Sequence, residues 1–395
     1  MLLLVATAKG LIVFEKKNRT WRVKDMHFVG LPVSMIFIDE RTDTWWAGTP
    51  HRHWGQKLHR SKDFGKNWEE ITAPRYPTTA FSKNGKPAAL KLIWCMANAG
   101  NDKPNELWLG TEPGGLFHSS DNGNSFQLVE SLWNHPSRSE LWFGAGKDEP
   151  FIHSIVVDPR NSNHVYIAVS CAGVFETTDA GKNWQPRNVG LKATYLPNPN
   201  AEVGHDPHLL LACKAAPDIL WQQNHCGIFR SINGGATWQD VSNKRHEVLG
   251  MRDEEYLSET SYLTPHASLP NYGFALAIDN DNPLRAWTIP AVSDEMRVPH
   301  NLALCVCRTD NGGNTWQQIR EGLPQKNCFD IVFRHAFAIR KNTLAFGTTN
   351  GNLYVSENFG DSWKCIHTNL ARVDAVVLVK KSNLNKKKSN CVFVF

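Results

Sequence analysis

The sequence has no long hydrophobic run. No stretch of its 395 residues approaches the roughly 18 consecutive apolar residues that a membrane-spanning helix needs. The apolar start, residues 1–6, is too short for the hydrophobic region of a secretory signal and no basic residues precede it, so it is better interpreted as a β-strand. These absences predict a protein without a membrane partner, and we expect it in the cytoplasm.

Cysteine motifs are missing as well. The nine cysteines are an odd number and contain no CxxC pair. Cys305 and Cys307 fall on one face of a predicted strand, which is a poor geometry for a disulfide. We therefore expect reduced thiols, as in an intracellular protein.

Several functional signatures are also absent. The sequence has no Walker loop, no GxGxxG between a strand and a helix, and no Gly-x-Ser-x-Gly, which argues against P-loop, Rossmann and serine-elbow enzymes. The formal net charge is only +5, and basic residues alternate with acidic ones outside the C-terminal tail. This charge distribution predicts no nucleic-acid partner.

The sequence does contain an internal repeat, Ser/Thr-x-Asp/Asn-x-Gly-x-x-Trp, with Phe replacing Trp in one copy. An Asp or Asn that bonds nearby amides, followed by a Gly at positive φ, is typical of a hairpin turn. Successive copies start 47 to 78 residues apart and span 61–68, 119–126, 177–184, 231–238, 309–316 and 356–363.

Apolar strands precede each turn, and the Trp opens another strand, which makes four strands per repeat. Four-stranded units at this period predict an all-β propeller with antiparallel blades. Residues 1–23 supply only three strands, and residues 373–379 form an unpaired one. We therefore expect seven blades, with the C-terminal strand joining the N-terminal blade, in a single domain over 1–381. Residues 382–395 form a basic and apolar tail, either frayed or a docking strand for a protein partner.

The repeat resembles the Asp-box, or BNR repeat, of sialidase-like β-propellers. The chain is similar, from residue 1 to about 379, to bacterial members of that family described as glycosyl hydrolases or exo-sialidase-like proteins. This resemblance implies that the boxes are structural and that the functional site lies on the opposite face. It implies no single activity, because sortilin ectodomains, photosystem II assembly factors and glycosidases share the repeat.

Histidines concentrate on that opposite face. Strand order places His153, His205, His208 and His225 in adjacent blades four and five, so we predict that they converge. One interpretation is a site for a divalent transition metal such as Zn, Cu or Fe, because imidazole suits these ions. The other is a structural hydrogen-bond network.

The same face supplies candidate catalytic and ligand-binding residues. We expect catalytic roles for Glu112, His153, Glu202 and Arg334, and ligand contacts from Arg297, His300 and Asn224. True sialidase chemistry is not expected, because no third channel-facing arginine and no Tyr–Glu pair are evident. The favoured hypothesis is a hydrolase or lyase acting on a small polar or anionic ligand, metal-assisted through the histidines. The alternative is a non-catalytic binding or assembly propeller.

Overall fold

Seven sheets of four antiparallel strands make up the described part of the chain. The structure is a computed structural model, and it describes residues 1–51, 53–144, 146–242 and 269–380. The innermost strands of the seven sheets line a central channel. The prediction of a seven-bladed β-propeller is therefore confirmed.

Each blade is built from strands that follow one another in sequence, except the first. In the first blade, β1 (Leu2–Thr7), β2 (Gly10–Lys17) and β3 (Thr20–His27) are joined by the last strand, β28 (Val373–Val379). Blade two consists of β4 (Met35–Asp39), β5 (Thr44–His51), β6 (Gly55–Ser61) and β7 (Glu69–Ile71). Blade three consists of β8 (Leu92–Asn98), β9 (Leu107–Glu112), β10 (Leu116–Ser119) and β11 (Gln127–Leu128).

The remaining blades repeat this order. Blade four has β12 (Ile152–Val157), β13 (Val165–Val169), β14 (Gly173–Thr177) and β15 (Gln185–Pro186). Blade five has β16 (Pro207–Cys213), β17 (Ala216–Asn224), β18 (Gly227–Ser231) and β19 (Gln239–Asp240). Blade six has β20 (Gly273–Ile278), β21 (Ala286–Pro290), β22 (Val306–Thr309) and β23 (Gln317–Ile319). Blade seven has β24 (Phe337–Arg340), β25 (Thr343–Gly347), β26 (Leu353–Ser356) and β27 (Lys364–His367).

Helices are short and lie between strands. Those in the described residues are α1 (Glu130–Trp133), α2 (Pro136–Leu141) and a 3-10 helix over His300–Leu302. No helix among the described residues is long and apolar enough to cross a membrane. The predicted tail, residues 382–395, lies outside the described residues.

The repeat forms the turn between the third and fourth strands of a blade. In the copy at 177–184, Thr177 Oγ1 donates to Asp179 Oδ1 at 2.8 Å and accepts the N–H of Gly181 at 2.9 Å. The turn also contacts the loop between the first two strands of its own blade, because Ala180 N donates to Asn163 O. The boxes therefore lie on the face where the first strands end, which supports their structural interpretation.

Tryptophans of the repeat join neighbouring blades. The indole N–H of Trp238 donates to the carbonyl of Arg187 in the preceding blade at 2.8 Å, and that of Trp316 donates to the carbonyl of Val241 at 2.7 Å. The ring of Trp238 is buried and that of Trp316 is partly buried, so each contributes apolar packing as well as a satisfied polar atom. The repeat thus stabilises both the turn and the blade interface.

Candidate ligand site at the channel mouth

The central channel encloses a cavity of about 670 Å³. Most of its wall is aliphatic, contributed by the middle of the innermost strands. A polar group lies where those strands begin, on the face opposite the boxes, and comprises His153, Ser154, Arg334 and His335. This mouth is the part of the channel that can recognise a polar ligand.

β-Bulges shape this mouth. In blades three to six, the pairing of the first two strands skips one residue near the start of the innermost strand. The skipped residues are Trp94, His153, His208 and Phe274. A bulge bends the strand and re-aims a side chain, and bulges are frequent next to functional sites. Equivalent bulges therefore present two imidazoles and two aromatic rings at the same level of the propeller.

Arg334, just before β24, is the central charged group of the mouth. Its guanidinium carbon lies 5.7 Å from the ring centroid of Trp94, 5.2 Å from that of Phe151 and 5.5 Å from that of Phe274. Burial lowers the pKa of this half-buried side chain. It forms no hydrogen bond or ion pair with any residue that the structure describes, and its Nε is buried.

A second guanidinium lies near one of the rings that Arg334 contacts. Arg297 is exposed, and its guanidinium carbon lies 5.5 Å from the Phe274 centroid, the same separation as that of Arg334. Its Nε donates to the carbonyl of Asp294 at 2.8 Å. The structure therefore brings together the two arginines that the sequence placed on this face, and the local field favours an anion.

Two histidines near Arg334 remain uncharged. His153 is fully buried, shares a 2.9 Å hydrogen bond with Ser154 Oγ through Nδ1, and has no partner for Nε2 among the described residues. His335 donates from Nε2 to the carbonyl of His153 at 2.9 Å. Burial and the charge of Arg334 lower the pKa of His335 to about 4 and that of His153 well below its usual value.

Two of the four predicted metal-binding histidines meet in blade five. His208 Nε2 lies 3.4 Å, and His225 Nδ1 lies 3.7 Å, from Oδ2 of Asp206. Asp206 is a member of this group that our ligand set lacked. The sequence did indicate Asp206 as a ligand, since it stands two residues before His208, but the predicted set of metal ligands was based on the histidines alone.

The other two histidines and Glu202 are placed elsewhere. His205 is buried and donates from Nε2 to the carbonyl of Ala201 at 2.6 Å, while His153 lies in the channel wall. Glu202 is exposed, and its backbone carbonyl accepts the Asn188 side-chain amide. Of the four histidines, only His208 and His225 share a compact group of donor atoms, so the expected convergence of all four with Glu202 is wrong. In the loop before β16, Glu202 is exposed and His205 bonds locally.

Three further candidates are held by local contacts. Glu112 is buried, accepts a hydrogen bond from Trp94 Nε1 at 3.4 Å and lies 3.5 Å from Lys147 Nζ. Asn224 is buried, donates to Gln222 Oε1 and accepts from the backbone N–H of Cys226. His300 is buried in the 3-10 helix. Glu112 is thus connected to the mouth through Trp94, and Asn224 is bonded within its own turn.

Asp374 in β28 is a carboxylate that sequence reasoning missed. The pairing of β28 with β1 skips this residue, so it occupies a bulge in blade one like those of blades three to six. Burial raises its pKa, although Arg372 Nε donates to it at 2.8 Å and opposes this rise. The charged residue in an otherwise apolar strand was the available signal.

Comparison with known proteins also detects the repeat. A family model described as BNR-Asp box repeat matches residues 58–71. Together with the six turns and seven blades, this match confirms the repeat and the fold. The chain is a β-propeller that contains BNR/Asp-box repeats.

Two curated relatives of this propeller are fungal proteins. A probable oligoxyloglucan-reducing end-specific xyloglucanase of Neosartorya fischeri is 34% identical over 278 residues, which cover 66% of this chain and 30% of that protein. An oligoxyloglucan-reducing end-specific xyloglucanase of Emericella nidulans is 30% identical over 244 residues, which cover 55% of this chain and 26% of that protein. The propeller thus spans about 30% or less of the length of these relatives.

Solved structures share the fold. A GH74 enzyme of Niastella koreensis superposes with a TM-score of 0.59 at 14% identity, covering 92% of this chain and 51% of that one. A periplasmic gluconolactonase of Pseudomonas aeruginosa gives a TM-score of 0.56 at 12% identity, covering 96% of this chain and 99% of that one. At these identities the likeness concerns the fold alone.

Proposed function

We propose that the propeller binds an acidic carbohydrate at the channel mouth and hydrolyses it, with Arg334 holding the anionic group. The observation that carries this proposal is the half-buried guanidinium of Arg334, which forms no hydrogen bond or ion pair with a described residue and feels only the more distant charge of Asp206. A charge removed from water is costly unless it is paired. A ligand carboxylate or sulfate would supply the missing partner, in a bidentate geometry that suits arginine.

Aromatic rings beside Arg334 support a sugar as the ligand. Trp94 and Phe151 stack with centroids 4.2 Å apart and an angle of 12° between their planes. Phe151 is buried and supports one face of Trp94, so the outer face of the partly buried Trp94 can take the C–H face of a pyranose while the arginine takes its acidic group. The names of the two fungal relatives, both xyloglucanases, also favour a carbohydrate.

Hydrolysis of a glycosidic bond ordinarily uses two carboxyl groups. We assign them to Asp374 and Glu112. Asp374 suits the proton donor, because burial raises its pKa, which is the direction that a general acid needs. Glu112 is oriented by Trp94 and Lys147, and so suits the carboxylate that activates water or attacks the sugar.

A binding titration of wild-type protein and Arg334→Met tests the anchor. Isothermal calorimetry with oligogalacturonides and with neutral xyloglucan oligosaccharides should show binding of the acidic series only, and Arg334→Met should weaken it at least about 10-fold, as expected for loss of a charge-assisted pair. Arg230→Met is the matched control, since Arg230 is also half-buried and lies 5.4 Å from the Trp221 ring centroid, but in an outer strand.

The outcomes separate the hypotheses. Equal binding by Arg334→Met and wild type would overturn the anchor, as would a preference for the neutral oligosaccharides. Binding without release of reducing ends would favour the non-catalytic alternative. Cleavage that Asp374→Asn and Glu112→Gln each abolish would support the hydrolase.

A further inference from the structure

Asp206, His208 and His225 form a compact group of potential metal ligands beside, but separate from, the Arg334 anchor. One donor atom from each residue lies within 4.8 Å of the other two. Asp206 Oδ2 is common to both short distances, 3.4 Å to His208 Nε2 and 3.7 Å to His225 Nδ1. Two ligands about 2.1 Å from a tetrahedral ion lie roughly 3.4 Å apart, so this spacing suits such an ion.

Each buried ligand is oriented through its other polar atom. The ring of His208 bonds the carbonyl of Gly273 through Nδ1 at 2.6 Å, and a carbonyl only accepts, so Nδ1 carries the hydrogen. Oδ1 of Asp206 accepts from Ser170 Oγ at 2.8 Å and from the backbone N–H of Cys171 at 3.2 Å. Outer hydrogen bonds of this kind fix the orientation of metal ligands.

This orientation leaves two electron-rich atoms facing each other. With its hydrogen on Nδ1, a neutral His208 presents the lone pair of Nε2 to the carboxylate oxygen Oδ2 of Asp206. Two such atoms at 3.4 Å repel unless a proton or a metal cation lies between them. His225 Nδ1 lies 3.7 Å from the same oxygen, so a single cation could contact all three donor atoms.

We propose that Asp206, His208 and His225 bind one divalent transition metal ion of the zinc type. Two imidazole nitrogens and one carboxylate oxygen are a donor set that suits zinc or iron better than calcium or magnesium, which prefer all-oxygen sites. Three protein ligands leave a coordination position open. The side chain of His225 is 26% exposed, so the group can be reached from solvent, between the rings of Tyr195 and Tyr272.

Titration of the metal-free full chain with Co²⁺ and Zn²⁺ tests the site. Co²⁺ should give the intense visible absorption of a tetrahedral complex, at one ion per chain, and Zn²⁺ should displace it. His225→Ala and Asp206→Asn should each weaken Zn²⁺ binding on the order of 100-fold, since even loss of an outer-shell partner costs about 10–100-fold. His225→Ala changes a partly exposed side chain and should keep the fold, which a melting curve checks.

His205→Gln is the matched control, because His205 lies in the same loop but bonds Ala201 instead of the group. It should bind both ions like wild type. Wild-type affinity in His225→Ala and Asp206→Asn, or equal loss in His205→Gln, would overturn the proposal and leave an adventitious ion only. The metal site and the sugar site are tested separately. Arg334→Met should retain the Co²⁺ spectrum, and His225→Ala should retain oligogalacturonide binding.

Discussion

Leu4 of β1 and Val377 of β28 lie opposite each other in one antiparallel strand pair. The pairing runs from Leu2 with Val379 to Thr7 with Val373, so the blade that starts the propeller is completed by the last described strand. β28 is the innermost strand of that blade and contacts β4 and β24 on either side. The ring therefore closes through strand pairing, which covers the inner edge of β1.

Removal of β28 should destabilise the whole ring. A chain ending at Arg372 loses Val373, Val376, Leu378 and Val379, all buried, which corresponds to roughly 6 kcal/mol of apolar burial. We expect a large fall in the unfolding midpoint in urea, or no folding at all. A chain ending at Lys380 keeps β28 and is the control. An unchanged midpoint in the shorter chain would falsify closure by this strand.

The fold was predictable because its signals are local and repeated. A turn needs a side-chain acceptor and a glycine at fixed spacing, and six copies in register leave few alternatives to blades. The three-stranded start and the unpaired strand at 373–379 then determined the closure. Each strand and turn is recognised from residues near one another in the sequence, and the closure follows from counting the strands at the two ends.

The site was less predictable because β-bulges determine which side chains face the channel mouth. A strand alternates its side chains between two faces, but an extra residue at His153 or His208 breaks that alternation, and the sequence does not show where this occurs. Strand order correctly placed Arg334 near His153 and His208 near His225. It did not show that His205 turns to its own loop or that Asp206 lies between two imidazoles.

A box glycine should tolerate alanine less well than a glycine of similar φ outside the boxes. Gly65 has φ +83°, and a Cβ there would lie 2.8 Å from Cζ3 of the buried Trp45. Gly30 has φ +87° but no heavy atom within 4 Å of its Cβ position. Gly30→Ala should cost about 1 kcal/mol from backbone strain alone. Gly65→Ala adds an overpacking cost and should lose about 3 kcal/mol in urea unfolding; equal losses would contradict the packing argument.

The aspartate boxes should make the propeller acid-sensitive. Ser125 donates its hydroxyl to Asp121 Oδ2 at 2.6 Å and its backbone N–H to Oδ1 at 2.9 Å, and these bonds lower the pKa of Asp121 to about 2. A depressed folded-state pKa stabilises the fold above about pH 4, and this contribution is lost as the pH falls toward 2.

Asp121→Asn isolates that contribution, because Asn occupies the same box position in three copies, at 233, 311 and 358. Asn358 donates to Ser362 Oγ, so a Ser partner accommodates the amide. The variant should match wild type at pH 7 and lose less stability between pH 4 and 2 in thermal melts. The reverse change, Asn358→Asp, should increase the acid loss. Parallel curves for all three proteins would refute this assignment.

His335 should destabilise the propeller on mild acidification. Its pKa falls from 6.5 to about 4 in the folded state because of burial and the charge of Arg334. The fold therefore keeps this histidine neutral, and the stability it provides is complete above pH 6.5 and declines as the pH falls toward 4. His335→Gln keeps a donor for the carbonyl of His153 and should show a smaller loss of unfolding free energy between pH 7.5 and 5. An equal loss would show that other groups control this range.

His164 should have the opposite effect on the pH dependence of stability. Its Nε2 lies 2.7 Å from Glu176 Oε1 and its Nδ1 lies 3.3 Å from Asp158 Oδ2, and the hydrogen bond to Glu176 raises its pKa above 6.5. A raised folded-state pKa gives stability that is complete below pH 6.5 and is lost as the pH rises through the folded-state value. His164→Gln should therefore cost more unfolding free energy at pH 5.5 than at pH 8.5 in urea titrations. A cost that is the same at both pH values would mean that His164 is not charged in the fold.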